Sequence, residues 1–153
     1  MTRQNIWLCR HGNRIDTVDP SWRSKNPHIE HNPHLSQDGI VQARETGVRL
    51  GGEGIQHLFA SPFLRAVGTA HYIAETLRIE IEVEHGVCEW LNPEWFAQAP
   101  PQIPLGDLAE RFPEVDLNYS SSVVPRYPEN SEEALVRAGK TVCALADTYR
   151  GDI

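Results

Sequence analysis

Long apolar runs are missing from this chain. None approaches the ~20 residues that a membrane-crossing helix needs, so a helical membrane span is excluded. The opening MTRQNIWLCR is too short in apolar residues for a secretory signal and runs straight into a strand pattern. Cysteine is scarce: Cys9, Cys88 and Cys143 are odd in number and widely spaced, with no CxxC pair, so no disulfide framework is expected. Cys9 and Cys143 fall in apolar patterns and are expected to be buried small hydrophobes. A reduced, cytoplasmic protein that does not engage a membrane fits these absences.

Positive charge is in deficit. Fourteen Lys and Arg stand against 21 Asp and Glu, a net charge of −7, with a pI near 5.4. Nucleic-acid binding needs a basic face that releases counterions, so no nucleic-acid partner is expected. An anionic small substrate remains compatible, because a few arginines focused in one cleft can outweigh an acidic exterior. Neither an aspartate cluster nor a Walker lysine is present, so no divalent metal or other cofactor is expected. His28, His31 and His34 are spaced by three, but Pro27 and Pro33 interrupt them and no further ligands complete a zinc set.

The 153 residues are 40% apolar and 23% charged, which describes one globular domain over residues 1–153. Residues 5–9 read as a short buried strand ending at Arg10-His11-Gly12. Residues 13–34 carry three prolines and no periodicity, and read as a long loop. A helix is predicted from Ser36, with apolar Ile40, Ala43, Gly47 and Leu50, ending at Gly51-Gly52. Residues 57–60 form a second strand; Ser61-Pro62 then opens a helix with Pro at its first position. Residues 79–83 alternate with acidic residues and read as a third, less buried strand.

Residues 92–104 hold four prolines and form an irregular excursion. A short helix is predicted near residues 105–112. The last helix is predicted from a capping box at Asn130 and Glu133, with Leu135, Ala138, Val142, Leu145 and Tyr149 on its buried side. Strand–helix alternation implies an α/β fold, a mostly parallel central sheet sandwiched by helices. Ligands bind beyond the carboxyl ends of such strands, where Arg10-His11-Gly12 and Ser61-Pro62 both fall. Trp22, Trp90 and Trp95 lie in loops expected to overhang that cleft, either stacking on an aromatic leaving group or packing the lid.

A strand-end histidine can attack a phosphoryl group and form a phosphohistidine that water then cleaves. Gly12 permits a sharp turn beside a ligand, and Arg10 brings a planar fork of donors for phosphate oxygens. Alone, the tripeptide equally fits a histidine in ordinary hydrogen bonds. Arg65 adds weight to the phosphate reading, since it falls in the first turn of a helix, where the free N–H groups and dipole already favour an anion. A cation there needs a compensating negative charge, which a bound phosphate supplies.

Arg10-His11-Gly12 with Ser61-Pro62 and Arg65, together with Leu35-Ser36-Gln37-Asp38-Gly39 and Gln42-Ala43, resembles the histidine phosphatase (phosphoglycerate mutase-like) superfamily. Three stretches are most similar to its suppressor-of-T-cell-signalling type phosphatases and their bacterial and plant relatives. They are Arg10-His11-Gly12-Asn13-Arg14-Ile15-Asp16, Val83-Glu84-His85-Gly86-Val87-Cys88-Glu89-Trp90 and Asp116-Leu117-Asn118-Tyr119. The resemblance implies a metal-independent phosphomonoesterase acting on a phosphorylated small molecule or phosphopeptide. It makes His11 the nucleophile, Arg10, Arg14 and Arg65 the phosphate ligands, and Glu89 the proton donor. Apolar Val87, Cys88 and Trp90 beside Glu89 favour a proton-bearing carboxyl.

In that family a second histidine follows the last helix on a further strand. Here the sequence reads Arg150-Gly151-Asp152-Ile153 at that point. The chain is thus expected to cover the first three quarters of the family domain and to lack the C-terminal strands. Two alternatives follow: a phospho-ligand-binding domain impaired in catalysis, and a phosphomutase. An open sheet edge at residues 6–9 would also allow self-association.

Overall fold

The structure, a computed structural model, describes residues 4–153. At its centre lie two parallel strands, β1 (Leu58–Ala60) and β2 (Ile81–Val83), with Leu58 opposite Ile81 and Ala60 opposite Val83. The two are joined by α4 (Leu64–Leu77), the crossover that a parallel pair requires. Isolated bridges extend the sheet outward: Ile81 pairs with Val115, and Ile55 pairs with Asp152. The mixed α/β architecture with parallel strands flanked by helices is the one expected.

Helix α3 (Gln37–Leu50) packs against α4, which in turn covers both strands. Its start is set as the sequence predicts: Ser36 is the N-cap, its Oγ accepting from the Gly39 amide at 3.1 Å. Val67 of α4 and Ile81 of β2 are fully enclosed, with Ala60, Leu64, Ala70, Ala74, Val83, Leu108, Phe112 and Val115 completing the core. Burial of these chains at roughly 25 cal/mol per Å² of apolar surface drives α4 onto the sheet. α5 (Leu105–Arg111) contributes Leu108, and α6 (Ser131–Thr148) opens with the predicted Asn130–Glu133 capping box.

Several expectations are corrected. Residues 5–9 form no strand: Trp7 N–H donates to Ile153 O at 2.7 Å and Ile153 N–H to Asn5 O at 3.0 Å. Beyond Trp7 no ladder continues among the described residues, and Leu8 is 88% exposed. A strand exists only where a partner accepts its hydrogen bonds. The 13–34 loop contains two single-turn helices, α1 (Ile15–Val18) and α2 (Trp22–Lys25). α4 starts at Leu64, two residues after Pro62, because the Asn32 side chain accepts the Leu64 amide at 2.7 Å and caps the helix there.

β2 is not the less buried strand; Ile81 and Val83 are enclosed. On α6 the inward face is Arg137, Thr141 and Leu145, a four-residue spacing, whereas Leu135 is 75% exposed. Cys9 and Cys143 are exposed, and it is Cys88 that is buried, its thiol pushed up to about 11 by that burial. Trp22 is buried against the His34 ring rather than overhanging a cleft. Trp90 and Trp95 meet edge to face at 5.1 Å, with Trp95 still exposed.

Candidate functional site

Arg10, His11, Arg14, Arg65 and Glu89 all line one cavity of about 800 Å³ at the carboxyl end of β1, beside Ser61. The cavity continues between residues 6–9 and 57–60. Every site residue picked out from the sequence is therefore brought to one place.

His11 is half-buried, and its Nδ1 lies 2.8 Å from the Gly12 carbonyl. A carbonyl can only accept, so Nδ1 carries the proton and Nε2 keeps its lone pair for the cavity. Burial holds the His11 pKa below the ordinary histidine value; the Gly12 carbonyl acts in the opposite direction, and the charges of Arg65, Arg10 and Arg14 add to the lowering. Burial and the arginines thus favour the neutral imidazole over the charged one.

The turn that aims His11 is held by tight backbone packing. A Cβ at Gly12 would collide with the Gly39 carbonyl, and one at Gly39 with the Asn13 carbonyl. Ser36 N–H donates to Asn13 O at 2.8 Å, and Asn13 N–H to Gln42 Oε1 at 2.8 Å. The sequence segment 35–43 therefore does more than begin a helix: it is the seat of the histidine loop.

Arg65 is 4% exposed in the first turn of α4, stacked over Phe63 at 4.4 Å. Burial pulls its pKa down, and the facing Glu89 carboxylate offsets part of this. Its Nη2 lies 3.4 Å from Glu89 Oε2, while Nη1 is buried with no hydrogen-bond partner among the described residues. A buried, unpartnered guanidinium nitrogen is costly unless an anion meets it.

Arg14 is oriented by Asp16 through Nε at 2.9 Å and Nη2 at 3.0 Å. Arg23 binds the same carboxylate at 2.8 Å. Burial acts to raise the Asp16 pKa, but the hydrogen bonds from Arg14 and Arg23 hold it below the usual carboxylate value. Glu89 has 40% of its side chain exposed and faces Arg65, with Oε1 accepting the Trp90 amide at 3.2 Å. Its surroundings are those of a cleft-edge carboxyl, not the apolar enclosure its sequence neighbours suggested.

Thr69 is a site residue that the sequence reading passed over. Its hydroxyl accepts the Gly12 amide at 3.1 Å and donates to Arg65 O at 2.7 Å, tying the His11 loop to the helix that carries Arg65. The available signal was its position four residues after Arg65, one turn along the same helix face. Asp16 and Arg23 were likewise given no role. Of the loop histidines, His28 is exposed, His31 meets the Phe96 ring at 5.1 Å and His34 bonds Leu35 O at 2.7 Å. Among the described residues no group of three or more His, Cys, Asp or Glu is arranged to hold a metal.

Comparisons with known proteins give the family and the fold. Residues 6–153 match the family described as the histidine phosphatase superfamily (branch 1). The chain is 34% identical over 151 residues to the ubiquitin-associated and SH3 domain-containing protein A of Mus musculus, covering 78% of this chain and 24% of that protein. It is 28% identical over 122 residues to the ecdysteroid-phosphate phosphatase of Bombyx mori, covering 60% of this chain and 18% of that protein. The solved Bombyx mori ecdysone phosphate phosphatase, in complex with tungstate, shares the fold with a TM-score of 0.83 at 24% identity, covering 98% of this chain and 71% of that one. The chain spans about a quarter of the length of the first curated relatives it matches.

Proposed function

The chain belongs to the histidine phosphatase superfamily (branch 1), and on that footing we propose that it hydrolyses phosphomonoesters through a phosphohistidine at His11. One observation carries this reading. The unprotonated Nε2 of His11 shares a cavity with three guanidinium groups, and the buried Nη1 of Arg65 has no partner among the described residues. The similar Bombyx mori enzymes, named as phosphatases of ecdysteroid phosphate, support the reaction class.

In the first step Nε2 attacks phosphorus and the P–O bond to the leaving group breaks. The carboxyl of Glu89 gives its proton to the departing oxygen. In the second step Glu89, now ionised, takes a proton from water as that water attacks the phosphoramidate. The P–N bond breaks and inorganic phosphate leaves. Arg10, Arg14 and Arg65 neutralise the charge on the three non-bridging oxygens of the transferred phosphoryl group. No metal enters either step. The substrate is a phosphorylated small molecule or phosphopeptide, and the three free cysteines support a reducing, cytoplasmic setting.

A phospho-ligand-binding role is the second reading. His57 also lines the cavity, but its Nε2 lies 3.1 Å from Arg150 O and its Nδ1 lies 3.5 Å from Glu82. It is thus engaged elsewhere and supplies no second imidazole to phosphate. Mixing the protein with p-nitrophenyl phosphate and quenching in base decides between the two. A phosphoryl group on His11, lost in His11→Ala, supports the hydrolase. Vanadate binding without phosphohistidine or released nitrophenol supports the binding domain.

A further inference from the structure

Glu89 lies on a stretch, residues 86–91, that belongs to no strand or α-helix and has no sheet ladder to hold it. The amides of residues 86–88 turn back on Glu84 and His85. The carbonyls of Gly86, Cys88, Glu89 and Leu91 and the Leu91 amide are met by the two residues of one buried ion pair from elsewhere in the chain. Arg137, on the inward face of α6, is 7% exposed and Glu129, just before that helix, is 6% exposed. Arg137 Nε donates to Glu129 Oε2 at 2.9 Å, and its Nη2 to Glu129 Oε1.

The remaining capacity of both groups is directed at the Glu89 segment. Arg137 Nη1 donates to Gly86 O at 2.8 Å and Cys88 O at 3.3 Å, and Nη2 reaches Glu89 O at 3.4 Å. From the other side, Glu129 Oε1 accepts the Leu91 amide at 3.0 Å, and the Glu129 amide donates to Leu91 O at 3.2 Å. Glu129 O accepts the Trp90 indole N–H at 2.8 Å. Thr141, one turn after Arg137, presses on Gly86, where any Cβ would collide with its hydroxyl.

The geometry points to Arg137 and Glu129 as positioning residues that fix the backbone carrying Glu89, and so the reach of its carboxyl toward the leaving oxygen; this rests on the reading of Glu89 as proton donor. Neither residue lines the cavity, so they act through Glu89 and not on phosphate. The forked guanidinium is essential to this role, because a single point charge cannot meet Glu129 and three carbonyls at once. A general acid works only within hydrogen-bond reach of the atom it protonates, so a small displacement removes its contribution while leaving the nucleophile intact.

The test is Arg137→Lys, which keeps the charge and loses the fork. A second variant, Glu129→Gln with Arg137→Met, removes both charges together and strands neither in the interior. Phosphorylation of His11 is timed with p-nitrophenyl phosphate, whose leaving group needs no proton, and with an alkyl phosphate, which needs one. The clamp predicts an alkyl phosphate rate lower by about tenfold or more and a nitrophenyl phosphate rate lower by less than about threefold. On a Glu89→Gln background Arg137→Lys should cost nothing further. Equal losses on both substrates, additive losses with Glu89→Gln, or no loss at all would overturn the inference. Should the unmodified chain transfer no phosphoryl group, the hydrolase reading fails by itself. The clamp is then judged by hydrogen exchange: faster exchange of the Leu91 amide and Trp90 indole in Arg137→Lys upholds it, and unchanged exchange refutes it.

Discussion

The Gly12 amide donates to the Thr69 hydroxyl at 3.1 Å, and the same hydroxyl donates to the carbonyl of Arg65 at 2.7 Å. One side chain thus fixes the distance between the His11 loop and the helix that presents the buried arginine. Thr69→Val keeps the shape and strands the buried Gly12 N–H, at a cost of about 1–3 kcal/mol. Thermal unfolding should show a lower Tm, and calorimetry a weaker vanadate complex. Thr69→Ser should restore both. A valine variant matching the parent in both measurements would remove Thr69 from this role.

Arg65 has a buried guanidinium nitrogen that nothing among the described residues engages. Arg65→Ala should weaken vanadate binding by roughly tenfold or more, the worth of a hydrogen bond to a charged group. Arg65→Lys should recover only part, since the ammonium lacks the fork. An alanine variant with unchanged calorimetric affinity would show that Arg65 does not share the cradle with His11.

His11 has its pKa lowered by burial and by the three arginines. Its imidazole should therefore titrate by NMR below the ordinary value of about 6.5, and bound phosphate should raise the midpoint. The sign for stability follows. As pH falls through the ordinary value the unfolded chain takes up this proton first, so stability is lost until the folded pKa is passed. His11→Gln should flatten that acid limb. A midpoint at or above the ordinary value would contradict the arginine-lined, part-buried site.

Glu89 stands at the cavity edge, 3.4 Å from Arg65. General acid catalysis contributes typically about 10²–10⁴-fold, so Glu89→Gln should slow alkoxide release by that order while sparing p-nitrophenol release. Steady-state rates on paired alkyl and aryl phosphates measure this. The same loss on both would take the donor role away from Glu89.

Leu8 is 88% exposed next to Trp7, the last residue of the 5–9 segment whose amide pairs with another stretch of described backbone. Unpaired edges of this kind are templates for another chain. Sedimentation should show concentration-dependent self-association that Leu8→Lys reduces. A parent chain that remains monomeric across the concentration range would argue that the edge is harmless.

The chain's local chemistry was readable without coordinates. Ser36 and the Asn130–Glu133 box mark helix starts because a side-chain oxygen must meet amides that no helix can satisfy. Arg10, His11 and Arg65 were legible as residue types whose chemistry suits phosphate, Arg14 and Glu89 were singled out through the family resemblance, and the structure gathers all five around one cavity. What the pattern could not decide was anything that depends on a partner distant in sequence. Residues 5–9 have the composition of a strand, yet a strand needs a neighbour along its length, and among the described residues their one backbone partner is Ile153. Apolar spacing placed Leu135 inward on α6, but the α6 face that touches the rest of the molecule is ruled by a buried arginine. Arg137 sits inside because Glu129 and the carbonyls of residues 86–89 meet it there. Composition and period report what a residue prefers in water or oil; the tertiary fold alone supplies the partner that reverses the preference.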